Sequence, residues 1–167
     1  MLSIKKASEA DIPLIRELCF NVWPQTYSHI ISAAQIDYML DLMYSPDALQ
    51  KQMTDGAVFI VLYHADTPVG FAAYQHLATQ LFKLHKLYVL PSMQGKGGGV
   101  FIVNYIERKI SKLTDAVLQL QVNKQNTAKL FYEKMGFTVA EEMVLQIGNG
   151  FVMDDFIMQK NIAKEKV

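Results

Sequence analysis

One stretch constrains this chain more than any other. A strand-like run, LFKLHKLYVL at residues 81–90, is stopped by Pro91, and Gln94-Gly95-Lys96-Gly97-Gly98-Gly99 follows; VFIVNYIERKI, residues 100–110, then has the apolar spacing of a helix. Strand, glycine turn and helix in that order describe a helix that packs back on a sheet. The turn also has chemical consequences, because free N–H groups and a helix dipole at that point can jointly hold a phosphate. Taken alone, the glycines are weak evidence for an anion-binding loop, because glycine also serves an ordinary flexible turn. Two phosphate motifs are excluded. A P-loop needs Ser or Thr after Gly-Lys, but Lys96 precedes Gly97, and a dinucleotide fingerprint started at Gly95 meets Val100 at its third glycine position.

The rest of the chain supplies partners for this unit. Residues 2–6 alternate like a short strand. Ser8 with Asp11 forms a capping-box-like start to a helix whose Ile12, Ile15, Leu18, Cys19 and Val22 face one way, with Trp23-Pro24 as its end. Ser32 to Gln35 reads as a second capping box before IDYMLDLMY, and Ser45-Pro46 starts another short helix. Beyond Gly56 the runs AVFIVLYH, VGFAAYQHL and LFKLHKLYVL predict an antiparallel meander. AVLQLQV at 116–122 reads as a strand, Asn126 to Met135 as a helix capped by Gly136, and the end as two strands around Asn149-Gly150. The expected fold is α/β (α+β): a mixed, mostly antiparallel sheet of about seven strands flanked by helices, in the order β-α-α-β-β-β-α-β-α-β-β.

Composition narrows the function classes. A chain of 167 residues has the size of one domain, expected to span residues 1–167. Sixteen basic residues balance sixteen acidic ones, so the footprint of a general nucleic-acid binder is missing and any anion must be held locally. Cys19, the one cysteine, can form no internal disulfide and reads as a packing residue. His29, His64, His76 and His85 are scattered without ligand spacing, so no metal is expected. The N-terminus lacks an apolar signal segment and no run is long enough to span a membrane, which predicts a cytoplasmic protein with no membrane partner.

Leu87-Tyr88-Val89-Leu90-Pro91 followed by Gln94, Gly97 and Gly99 resembles motif A of the GNAT N-acetyltransferases. Asn123 to Phe137, with Asn126, Ala128, Phe131-Tyr132 and Gly136-Phe137, resembles their motif B at the usual distance. Gly98 and Val100 depart from the commoner apolar and polar residues at their positions. The N-terminal segment with Tyr27, Ile31 and Ser32, and the strand around Asp154-Asp155, are also similar to polyamine or diamine acetyltransferases of the PaiA type.

The resemblance implies acetyl-CoA as cosubstrate and a small amine as acceptor, joined in a ternary complex. It places the pantetheine arm along the amides of Leu87 and Val89 beside Tyr88, and the pyrophosphate on the loop Gln94, Gly95, Lys96, Gly97, Gly98, Gly99 and Val100. Asn126 and Phe131 complete the cosubstrate site; a plain helix cap is the alternative role for Asn126. Tyr132 is implied as the acid that protonates the departing thiolate. Many relatives carry a glutamate base on the strand before the loop, but here strict alternation places Lys83, His85 and Leu87 on one face, which leaves His85 as base or water-orienting residue, against a role in packing. Asp37, Asp41, Asp154 and Asp155 are the carboxylates available to a cationic acceptor. Acetylation of a protein N-terminus or lysine, and a silent CoA-binding regulator, are the alternative functions. The resemblance also leaves a homodimer open.

Overall fold

The computed structural model describes residues 1–167, and its seven strands form one sheet in the order β1-β2-β3-β4-β5-β7-β6. The strands are β1 (Leu2–Lys6), β2 (Val58–His64), β3 (Thr67–Ala78), β4 (Leu81–Val89), β5 (Ala116–Asn123), β6 (Thr138–Gly148) and β7 (Phe151–Ile162). The helices are α1 (Ile12–Tyr27), α2 (Ala33–Tyr44), α3 (Pro46–Thr54), α4 (Gly98–Ser111) and α5 (Ala128–Lys134). Every pairing is antiparallel except β4 with β5. That one parallel step is made by α4, the helix that follows the glycine turn.

Alternation along the strands divides the core between the two faces. Phe59 and Val61 of β2 and Phe71 and Ala73 of β3 meet Ile15, Cys19, Trp23 and Met39 from α1 and α2. Ile60, Leu62 and Ala72 meet Ile102, Val103, Ile106 and Ile110 from α4 on the other face. Cys19 is fully buried in the first of these clusters, as a packing residue should be.

Two local expectations need correction. Trp23-Pro24 does not end α1, which runs on to Tyr27 with Pro24 inside it. Pro24 lies on the exposed side, and the packing of buried Trp23 and partly buried Tyr27 against the core outweighs the one backbone bond that proline removes. Ser32 does cap α2, its Oγ accepting from the Gln35 N–H at 3.1 Å, but the Gln35 side chain does not complete the box. It donates instead to the carbonyl of Val152 on β7 at 2.7 Å.

That contact belongs to a clasp. The Tyr38 hydroxyl donates to the Ile147 carbonyl at 2.6 Å, and the Tyr38 and Phe151 rings lie 5.3 Å apart. The clasp fastens α2 to the β6–β7 hairpin, whose turn is made by Asn149 and Gly150, both at positive φ.

Candidate active site

The site originates in a gap within the sheet. β4 and β5 are paired only from Leu81–Leu84 against Val117–Leu120. Beyond Leu84, β4 stays with β3 as far as Val89 while β5 stays with β7 as far as Asn123, so the two strands part. A bulge marks the divergence: Tyr74 is opposite Leu84 but Ala73 is opposite Lys86, which leaves His85 as the extra residue.

The bulge overturns the strict alternation expected for β4. Leu87 packs on the α4 side of the sheet, whereas Lys83, Lys86 and Tyr88 line the cavity on the α1 and α2 side. The Leu90 N–H donates to Val69 of β3 at 2.8 Å, so by alternation the Tyr88 N–H also faces β3 and the N–H groups of Leu87 and Val89 face the gap. Tyr88 thus contributes its side chain instead of its amide.

At the end of β4 the turn is open above its backbone. Gly95 and Gly97 sit at φ +74° and +83°, where other residues are strained, and a Cβ on either would meet nothing within 4 Å. The first helical bond of α4 runs from the Phe101 N–H to the Gly97 carbonyl at 2.9 Å, so the N–H groups of Gly97, Gly98, Gly99 and Val100 precede the helical ladder. Gly98 and Gly99 are close-packed for different reasons. A Cβ on Gly98 would lie 3.0 Å from Leu62, and one on Gly99 would lie 3.0 Å from the Phe131 ring. Gly98 therefore seats the helix start against the sheet, and Phe131 braces it from α5. Gln94 reaches back to the Val89 carbonyl at 3.5 Å, and Lys96 is exposed at the rim.

Two cavities meet in the gap. The smaller, about 50 Å³, lies between the diverging strands and is lined by Leu87, Val122, Asn126, Ala128 and Tyr132 among others. The larger, about 430 Å³, opens under α1, α2 and the hairpin. Tyr27, His85, Lys86, Tyr88 and Gln121 line both, and the hydroxyls of Tyr27 and Tyr88 lie 2.9 Å apart at the junction.

Asn126 performs the plain role and keeps a second one available: its Oδ1 accepts from the Ala128 N–H at 2.9 Å, capping α5, while the residue also lines the smaller cavity. Tyr132 is 7% exposed between the rings of Phe131 and Phe137, at centroid distances of 5.2 and 5.7 Å. Burial pushes its phenol well above the ordinary value, so it stays protonated across the neutral range.

The electrostatics of the larger cavity are mixed. Lys86 is 8% exposed with its Nζ 4.3 Å from the Tyr44 ring centre, and burial pushes its ammonium down to about 8. Lys83 donates to Gln121 at 2.8 Å, and its pKa is lowered by burial as well. His85 lies 2.9 Å from Gln75 through Nε2; desolvation, and then the Lys83 and Lys86 charges, push it down to about 4. Among the four aspartates considered for a cationic acceptor, only Asp155 lines the cavity. It is 3% exposed, whereas Asp37 and Asp41 are exposed and Asp154 pairs with Lys124 at 2.9 Å. No group of His, Cys, Asp and Glu side chains is placed to hold a metal, and no helix is long and apolar enough to cross a membrane.

Residues 30–158 match the family described as acetyltransferase (GNAT) domain. The chain belongs to the GNAT acetyltransferase family. As a GNAT enzyme it carries out acetyl-CoA-dependent transfer of acetyl to an amine. It is 26% identical over 159 residues to the spermidine N(1)-acetyltransferase of Thermoplasma acidophilum, covering 92% of this chain and 96% of the relative. The crystal structure of the PaiA N-acetyltransferase of the same organism in complex with coenzyme A matches with a TM-score of 0.78 and 26% identity, over 96% of this chain and 98% of that one. The ribosomal-protein-S18-alanine N-acetyltransferase of Escherichia coli shares the fold, with a TM-score of 0.74 at 19% identity over 99% and 97% of the two chains.

The open turn and the gap-facing amides fit the pyrophosphate and the amide-bearing arm of CoA. Gly70 is critical to that arrangement in this GNAT enzyme, because a Cβ there would lie 2.7 Å from the Tyr88 carbonyl oxygen and 3.2 Å from the Val89 Cα. Gly70→Ala is therefore expected to push β4 into the gap, to lower stability by about 1–3 kcal/mol and to weaken CoA binding. Thermal melts and calorimetric titration with CoA check both effects.

Proposed function

We propose that this acetyltransferase acts on a primary amine of a small acceptor, with a polyamine as the leading class. The observation that carries the reading is the clasp between α2 and the β6–β7 hairpin, which ties two walls of the larger cavity together and so favours a narrow acceptor over an extended peptide. What remains is a pocket with Ile31, Met39, Ile147 and Met153 on its walls and the Asp155 carboxylate in its lining. Apolar walls suit methylene spacers, and a carboxylate suits an ammonium. The similarity to a spermidine acetyltransferase supports the same class.

In this reading the cosubstrate supplies an activated acetyl group when bound. The turn Gln94 to Val100 holds its pyrophosphate, with the Lys96 charge at the rim. The Leu87 and Val89 amides align the arm and polarise the carbonyl beside the gap. Asn126 and Phe131 close the α5 side. Tyr132 donates its proton to the departing sulfur. His85, uncharged at neutral pH, orients water where the two cavities meet.

The test follows CoA thiol release with spermidine, spermine, putrescine, lysine and short peptides as acceptors, with mass spectrometry of the products. Acetylated polyamine as the main product is expected. Turnover of peptides alone contradicts the acceptor class, and no acceptor-dependent release with any amine contradicts the acetyl-transfer reading.

A further inference from the structure

An ammonium cannot attack a carbonyl, so one proton must leave the acceptor before transfer. β4, the strand that borders the gap, carries no carboxylate, and His85 is engaged by Gln75 between two lysine charges. Two carboxylates line the larger cavity, Asp55 and Asp155. Asp55 is 56% exposed and pairs with Lys51 at 2.6 Å, so it lies at the entrance and is already neutralised.

Asp155 differs in every respect. It sits on β7 opposite Asn123 of β5 and Met143 of β6, neither of which is charged. The nearby Lys124 ammonium is taken by Asp154 at 2.9 Å and by Glu142 of β6 at 3.8 Å. Lys83 of β4 is tied to Gln121, and Tyr27 of α1 is close enough to feel the Asp155 charge. A buried carboxylate with no ion pair, aimed into the cavity beside the Tyr27 junction, is a vacancy for a cation.

We propose that Asp155 both receives the acceptor's ammonium and takes its proton, so that the base of this enzyme stands on β7 instead of β4. The inference rests on the acetyl-transfer reading. One N–H proton of the ammonium passes to an Asp155 oxygen. The freed nitrogen pair bonds the acetyl carbon as the carbon–sulfur bond breaks, and Tyr132 protonates the sulfur. The nitrogen's remaining surplus proton restores the phenol through water, and Asp155 releases its own proton to solvent, so one proton leaves per turnover. Burial, and then the Asp154 charge, hold Asp155 at about 6 against the opposing pull of Lys83 and Lys124, and it is mostly ionised at pH 7.

The experiment compares the wild-type enzyme with Asp155→Asn and Asp155→Glu, following kcat/KM for spermidine from pH 5 to 9.5 alongside thermal melts. Wild-type activity is expected to fall as pH drops through about 6. Asp155→Asn is expected to lose about 100-fold or more at pH 7 and to regain about tenfold per pH unit towards pH 9, as free amine of pKa about 10 becomes available. Asp155→Glu is expected to keep the wild-type shape of the profile at a reduced rate. Full activity of Asp155→Asn at pH 7, or a loss equal at every pH, overturns the assignment while leaving acetyl transfer standing. A folded wild-type enzyme inactive on spermidine and on every other amine and peptide of the acceptor panel overturns both.

Discussion

Tyr132→Phe is expected to lower kcat by about 100-fold with the KM for acetyl-CoA within about twofold of wild type. The phenol stands among Phe131, Phe137 and the wall of the smaller cavity, and makes no hydrogen bond to the protein. Removing its oxygen therefore leaves the packing of α5 intact while removing the α5 hydroxyl that lines the smaller cavity. Melting temperature should stay nearly constant, which separates lost chemistry from lost fold. Steady-state kinetics with a good acceptor, together with calorimetric binding of CoA, check the split. Wild-type kcat in this variant contradicts the acid role.

Lys86→Met is expected to stabilise the protein at pH 7. The unfolded chain carries an ordinary lysine, about 10.4, whereas burial holds Lys86 at about 8 in the folded state. Between these values the unfolded state binds more protons, so stability rises with pH across that window and the full penalty, about 3 kcal/mol, is present below pH 8. The contact with the Tyr44 ring is a favourable interaction of the charge and is already contained in that net value. Methionine keeps the volume and leaves no charge, so a gain of about 3 kcal/mol is expected at pH 7, a rise of about 6–12 °C in melting temperature. The gain should shrink towards pH 10. The same substitution should raise the His85 pKa from about 4 partway towards 6.5, measurable by NMR, since Lys86 is one of the two charges holding it down. An unchanged melting curve at pH 7 contradicts the account of Lys86 as an unneutralised buried charge.

How far these features could be read from the sequence depended on the range of the interactions that set them. The meander, the glycine turn, α4 and the final hairpin are written in local periodicity and turn residues, and the sheet of seven strands follows them. Pro24 misleads because its local cost is outweighed by packing of Trp23 and Tyr27, which no window of sequence contains. Gln35 has the spacing of a capping box, yet its partner is Val152, far along the chain.

The bulge at His85 is the most consequential miss. Alternation alone makes β4 regular, and only the register with β3 shows that Lys86 and Tyr88 turn to the cavity while Leu87 turns away. Asp155 appeared in the sequence as one of four equivalent acidic residues. Its distinction comes from the neighbours that leave it unpaired, Asn123, Met143 and the Lys124–Asp154 bond, and those neighbours belong to three different segments of chain. The turn between β4 and α4, by contrast, owes its shape to the residues that make it, which is why a strand, a glycine turn and a helix could be read in advance at Leu81 to Ser111.

The measurement that tests the account most directly is a crystal structure of the enzyme with CoA and spermidine bound together. The pyrophosphate is expected on the N–H groups of Gly97 to Val100, the pantetheine arm against Leu87 and Val89 with its sulfur beside Tyr132, and a spermidine amine against Asp155 under the α2–hairpin clasp. CoA bound outside the gap between β4 and β5, or spermidine bound away from the cavity that Asp155 lines, would contradict it.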